Sequence, residues 1–256
     1  DISIVCHIGA FSHVENSFYN SIEFTKNNVL STHMLLETLK IYNADTNRLE
    51  KFLLTSTDEI YGPSIDNVMK IESDPCLATN PYSATKYSAE CLVQAYRHSY
   101  KLPCLITRSN NFFGQNQYPE KVISKFICSL LNNKKLTIQG NGSAKRDFIH
   151  VMDTCTALET VLLKGGIGEV YNISSDHKSE FSVMQLSEML IGLMHPGEKV
   201  ENHIEYIDER MFQDTRYYIS SEKLRKLGWI PVKTDFMKEI IELIEWYRIN
   251  KSRYGF

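Results

Sequence analysis

Thr57, Asp58, Glu59, Tyr82 and Lys86 are the side chains of this sequence whose types and spacing could move protons on a bound molecule. Tyr82 and Lys86 are four residues apart, so on a helix they share one face one turn apart. An ammonium close to a phenol favours the phenolate and lowers its pKa. A phenolate near neutral pH is a usable base for a hydroxyl. Thr57-Asp58-Glu59 follows the apolar run Phe52-Leu53-Leu54, and Gly62 closes the turn. Adjacent carboxyls are costly to bury without a partner or a task. A polar turn above a strand is the plainer reading of that triplet. A Y-x-x-x-K spacing also recurs by chance in helices. The two segments gain force from occurring together.

The elements that must position them follow an alternating pattern. ISIVCHI over Ile2–Ile8 predicts a buried strand, and Gly9 to His13 a turn of mostly small residues. A helix is expected over Ser21–Ile41, then a strand over Lys51–Thr57, giving a β-α-β unit with parallel pairing. Gly62 to Asn80 reads as a long loop broken by Pro63 and Pro75. Pro81 then starts a helix through Tyr100. The buried strand Cys104–Arg108 ends in Ser109-Asn110-Asn111. Polar residues thus recur at strand ends, where open α/β sheets bind ligands. Beyond Gly114 the pattern predicts helices over 120–132, 152–164, 182–194, 220–227 and 234–247, with short strands over 136–138, 146–151, 169–174 and 203–207. The expected class is α/β: a Rossmann-like parallel sheet, N-terminally incomplete, with a smaller α/β substrate-binding domain. The expected limits are 1–113 plus about 147–175 for the first domain, and 114–146 plus about 176–256 for the second.

Composition removes several alternatives. The 256 residues carry 28 Lys+Arg against 31 Asp+Glu, so no basic excess calls for nucleic acid or an anionic membrane. The six cysteines are scattered without a C-x-x-C pair, which predicts free thiols in a reducing compartment, the cytoplasm. The histidines are dispersed, and no metal site is expected. No apolar run is long enough to span a bilayer, and the start resembles no signal peptide.

Seven motifs together resemble the extended short-chain dehydrogenase/reductases. They are HIGA–SHV from His7, TSTDEIYG from Thr55, NPYSATK from Asn80, RSNNFFG from Arg108, YPEK from Tyr118, KRDFIHVMD from Lys145 and ERMFQDTRY from Glu209. Within that superfamily the chain is most similar to nucleotide-sugar 4,6-dehydratases acting on dTDP- or UDP-glucose. The resemblance implies NAD as cofactor and a set of roles. Tyr82, helped by Lys86, takes the proton of the sugar 4-hydroxyl, and Thr57 hydrogen-bonds that hydroxyl. Glu59 removes the C5 proton and Asp58 protonates the departing 6-hydroxyl. Ile8, Gly9, Ala10, Ser12 and Asn27 line the nicotinamide side with Tyr82 and Lys86, and Ser12 also touches the sugar. Asn111, Lys121, Arg146 and Arg210 hold the sugar diphosphate. GDP-mannose dehydratases and UDP-glucuronate decarboxylases carry serine where Asp58 stands, so Asp58 favours a hexose dehydratase over those relatives or a 4-epimerase. The other alternative is a non-catalytic nucleotide-sugar-binding remnant.

Departures from the pattern are His7-Ile8-Gly9-Ala10 for H-x-A-A, Gly114-Gln115 for G-P, and Arg210-Met211 for R-P. The stretch from Glu209 to Trp229 is closer to the UDP-glucose enzymes that begin UDP-rhamnose synthesis, which favours UDP. The family also opens with a strand, a G-x-x-G-x-x-G turn and a helix that hold the NAD diphosphate. Here Gly9 is the first glycine, and Asp1 corresponds to the family's fourth strand. The expectation is a sequence lacking its N-terminal part, more than a naturally shortened relative, and weak NAD binding by these residues alone. The resemblance further implies a homodimer built on the helices Ser21–Ile41 and Tyr82–Tyr100.

Overall fold

Apolar runs become strands and amphipathic runs become helices in the computed structural model, which describes residues 2–64, 67–175, 177, 179–209 and 211–254. The strands are β1 (Ile4–His7), β2 (Lys51–Thr57), β3 (Cys104–Ser109), β4 (Asn111–Phe113), β5 (Leu136–Gln139), β6 (Lys145–His150), β7 (Val170–Ile173), β8 (Glu180–Ser182) and β9 (Ile204–Ile207). The helices are α1 (Val14–Tyr19), α2 (Ser21–Phe24), α3 (Ser31–Thr46), α4 (Pro81–Tyr100), α5 (Val122–Leu131), α6 (Val151–Lys164), α7 (Val183–Met194), α8 (Glu222–Arg225) and α9 (Phe236–Asn250).

The chain divides into two compact units. The first holds Asp1–Asn110, Cys155–Ser174 and Tyr217–Ile230, and the second holds Asn111–Thr154, Ser175–Arg216 and Pro231–Phe256. These limits differ from those expected. Residues 147–154 fall in the second unit, where β6 pairs with β4 and β8. Residues 217–230 fall in the first, where α8 lies against β7.

In the first unit a four-stranded parallel sheet has the order β1-β2-β3-β7. Every residue of β3 is buried, as a central parallel strand requires. Phe52, Leu54, Cys104 and Ile106 pack against Leu36 and Leu39 of α3 and Ala89 and Val93 of α4. Burying each large apolar side chain contributes about 1.5–3 kcal/mol. β1 was expected to be buried; among the described residues it pairs with β2 alone, and Ile2, Ile4 and Ile8 are exposed.

The long helix expected over Ser21–Ile41 is interrupted. Thr25–Leu30 is π-helical between α2 and α3, and α3 continues to Thr46, where Asn47 takes a left-handed conformation as C-cap. A helix absent from the sequence reading, α1, precedes them; His13 accepts a hydrogen bond from Asn16 N at its start. α4 begins with a capping box between Asn80 and Ser83 and has Pro81 in its first turn.

In the second unit β4, β6 and β8 form one sheet and β5 and β9 form a parallel pair. The core gathers Phe126 and Ile127 of α5, Leu186 and Leu190 of α7, and Ile240, Leu243 and Tyr247 of α9. Ser182 caps α7 as expected, in a capping box with Gln185. β4 and β8, three residues each, were too short to leave a periodic signal.

Candidate active site

β2 delivers Thr57 at its carboxyl end, and the chain turns at once into a short 3-10 helix, Asp58–Tyr61. Gly62 ends that helix at φ +69°, where a Cβ would meet Leu77 O at 2.7 Å. Thr57 caps the turn by accepting from Glu59 N at 3.3 Å. The turn is held from below by a buried network. Arg108 Nη2 and Glu90 Oε2 are 2.7 Å apart, Arg108 Nη1 donates to the Tyr61 hydroxyl at 2.7 Å, and that hydroxyl donates to Asn172 Oδ1 at 2.9 Å.

Asp58 and Glu59 are both buried, and each has partners. Asn110 Nδ2 donates to Asp58 Oδ2 at 2.7 Å, and the Thr57 hydroxyl donates to Asp58 Oδ1 at 3.2 Å. Glu59 Oε2 accepts from Asn80 Nδ2 and from the Tyr217 hydroxyl, each at 3.2 Å. Among the described residues Glu59 Oε1 takes no hydrogen bond. Tyr82 sits in the first turn of α4, its backbone N–H donating to Ser17 Oγ at 3.2 Å. Burial, with Glu59 and Asp58 alongside, pushes the Tyr82 phenol well above its ordinary pKa, while a hydrogen bond with Thr57 pulls the other way. Thr57, Asp58, Glu59 and Tyr82 therefore meet in the first unit at the carboxyl end of its sheet.

Lys86 lies one turn along α4 from Tyr82 and is buried. Its ammonium donates to Thr55 O at 2.7 Å, and burial lowers its pKa to about 8.

The second unit contains Asn111 on β4, Lys121 at the start of α5 and Arg146 on β6. Arg146 Nη1 donates to Lys145 O at 2.6 Å and Nη2 to Asp214 O at 3.1 Å. Arg210 lies outside the described residues.

Comparison with known proteins gives this arrangement its relatives. The model of the family described as GDP-mannose 4,6 dehydratase matches residues 1–243. The chain belongs to this family. It is 45% identical over 252 residues to the dTDP-D-glucose 4,6-dehydratase of Bos taurus, covering 97% of this chain and 68% of the relative. It is 42% identical over 257 residues to a trifunctional UDP-glucose 4,6-dehydratase/UDP-4-keto-6-deoxy-D-glucose 3,5-epimerase/UDP-4-keto-L-rhamnose-reductase of Arabidopsis thaliana, covering 100% of this chain and 37% of that protein. Among solved structures it superposes on a dTDP-glucose 4,6-dehydratase of Streptomyces venezuelae, crystallised with NAD bound, with a TM-score of 0.91 and 30% identity. That match covers 99% of this chain and 76% of the other.

The first unit fits the nicotinamide end of the cofactor of such a family member. β1 and β2 pair up to His7 and Leu54, and Ile8 and Gly9 follow the last pair. Ile8 is 56% exposed, and a Cβ on Gly9 would meet nothing within 4 Å. Among the described residues Lys86 has one acceptor for its three N–H groups. An apolar side chain, open backbone and unused N–H groups suit a flat ring with ribose hydroxyls. Ala10 and Ser12 follow on the same loop. Asn27 Oδ1 accepts from Phe11 N at 3.0 Å and so holds the loop.

Three residues of this unit escaped the sequence reading, Asn28, Asn80 and Tyr217; Asn110 entered it only within the polar cluster that ends β3. Asn28, in the π-helical segment, accepts from Phe11 N at 2.8 Å and donates to Phe11 O at 3.0 Å and Thr85 Oγ1 at 3.0 Å. A π-helical turn in such a place often accompanies a binding site. The asparagine before Pro81 carried a cap signal, but its bond to Glu59 depends on the fold.

Proposed function

We propose that this protein dehydrates dTDP-glucose or UDP-glucose to the 4-keto-6-deoxyglucose nucleotide with NAD as cofactor. Tyr82 takes the proton of the 4-hydroxyl, with the Thr57 hydroxyl bonded to the same oxygen. Lys86 keeps a positive charge one turn along α4. NAD, when bound, accepts the C4 hydride and returns it to C6. The 4-ketone acidifies C5–H, and Glu59 removes that proton through Oε1, the oxygen that Asn80 and Tyr217 leave uncommitted. Asp58 gives a proton to the 6-hydroxyl, which leaves as water, and is recharged by the proton that Tyr82 took, passed through the Thr57 hydroxyl that bonds both. Glu59 then returns a proton to C5. The observation that carries this reading is the convergence of two differently partnered buried carboxyls on the phenol of Tyr82. An epimerase needs no such acid and base.

The family's name points to GDP-mannose. The names of the bovine and Arabidopsis relatives support glucose carried on dTDP or UDP instead. On this reading the first unit binds NAD, and the second binds the nucleotide sugar through Asn111, Lys121, Arg146 and Arg210. The enzyme acts as a homodimer in the cytoplasm. Exposed Ile22, Leu30, Met34 and Ile41 on the α2–α3 stretch, with Tyr87 and Tyr100 on α4, support the dimer. All six cysteines are free thiols, which supports the compartment. No helix among the described residues is long and apolar enough to cross a membrane.

The test is a pair of variants. Asp58→Asn and Glu59→Gln should each lower turnover about 10²–10⁴-fold. Both should still oxidise C4, seen as reduced nicotinamide that accumulates on mixing with substrate. Full turnover by both variants would remove the carboxyls from the mechanism.

A further inference from the structure

The dispersed histidines gave no expectation of a metal site, yet the second unit gathers two of them around one carboxylate. His195 follows the last residue of α7, Glu198 lies in the turn beyond it, and His203 immediately precedes β9. One nitrogen of each imidazole and one oxygen of Glu198 all lie within 4.8 Å of one another. His203 Nε2 is 2.7 Å from Glu198 Oε2, and His195 Nδ1 is 3.6 Å from Glu198 Oε1. The imidazole rings stack with centroids 4.4 Å apart at 29°. We propose that His195, Glu198 and His203 form a binding site for a divalent transition metal of the Zn²⁺ class.

The donor set is the first argument. Imidazole nitrogen with carboxylate oxygen suits Zn²⁺, Cu²⁺ and Ni²⁺ over Mg²⁺ or Ca²⁺. Bond lengths of about 2.0–2.2 Å put tetrahedral donors about 3.3 Å apart. The two histidine–carboxylate separations, 2.7 and 3.6 Å, bracket that figure.

The second argument is that the backbone already holds these donors in place. His195 N donates to Ile191 O at 2.8 Å as α7 ends, and Glu198 N to His195 O at 3.2 Å. Gly197 makes that turn at φ +84°. On the other side His203 O accepts from Leu136 N at 2.7 Å, which ties it to the β5–β9 pair. Val200, between Glu198 and His203, packs on the core of the unit.

The competing reading is a carboxylate shared by two histidines as an ion pair. A carboxylate that accepts one N–H from each ring would hold the same geometry without an ion, and zinc titration separates the two. The side chains of His195 and His203 are 19% and 15% exposed against 53% for Glu198. The histidines therefore back the site, and its open side faces solvent, leaving room for water as a further ligand. The ion would fasten the end of α7 to the start of β9.

Zn²⁺ titrated into the full chain in competition with a chromophoric chelator tests this. Cys6, Cys91 and Cys155 are exposed free thiols that zinc can also reach, so the readout is the difference between proteins. Wild type should bind one more equivalent than His203→Ala or His195→Ala. Loss of an outer-shell partner costs about 10–100-fold in affinity, and loss of a ligand should cost at least that. Glu198→Ala changes an exposed side chain, so it leaves the fold intact and should weaken the same site about tenfold or more. Equal stoichiometry and affinity in wild type, Glu198→Ala and either histidine variant would overturn the proposal, as would no binding by wild type.

Discussion

Burial sets the resting state of Tyr82 and Lys86 and makes each testable. Burial, with Glu59 and Asp58 beside it, raises the Tyr82 phenol, so its proposed role as base depends on positive charge close by. Tyr82→Phe should lower turnover about 10²–10⁴-fold while leaving nucleotide-sugar affinity within a few-fold, measured by steady-state kinetics and calorimetry. For Lys86 the sign runs the other way. Burial lowers its pKa from 10.5 to about 8, so between those values the unfolded chain binds more protons than the folded one. Stability then rises with pH across that window, by about 3 kcal/mol in all, and is lost as pH falls back through 8. Denaturant unfolding at a series of pH values should show wild type gaining on Lys86→Met between pH 8 and 10.5. A constant difference would mean that the ammonium is not strained by its surroundings.

At the scale of elements, α4 does two jobs through one residue. Asn80 caps the helix through Ser83 N at 2.9 Å and holds Glu59 Oε2 at 3.2 Å. Substitution can separate the two. Asn80→Ala should lose about 1 kcal/mol of stability with the cap, together with activity. Asn80→Ser keeps a capping oxygen, so it should unfold near the wild-type midpoint yet turn over more slowly. Equal activity in Asn80→Ser and wild type would take Asn80 out of the positioning of Glu59. This is also where the sequence was most and least legible. The order β1-α-β2-α4-β3 and the Tyr82–Lys86 face followed from periodicity and local signals. The π-helical turn at Thr25–Leu30 and the clamp by Asn28 did not, because both arise from packing between segments distant in sequence.

For the whole molecule, the claim is a dimeric enzyme that removes water from a sugar nucleotide. Leu30, Met34 and Ile41 are exposed along one helical stretch, and a lysine in their midst is costly to bury at an interface. Sedimentation equilibrium should give a dimer for wild type and a shift toward monomer for Met34→Lys; a wild-type monomer at every concentration would contradict the dimer. The central claim is tested most directly by proton NMR of the enzyme with NAD in heavy water, with dTDP-glucose or UDP-glucose as substrate. The predicted product has a 6-methyl group, a 4-ketone and deuterium at C5, delivered through Glu59. A product that keeps its 6-hydroxyl and differs only in configuration at C4, or substrate returned unchanged with both nucleotides, would contradict it.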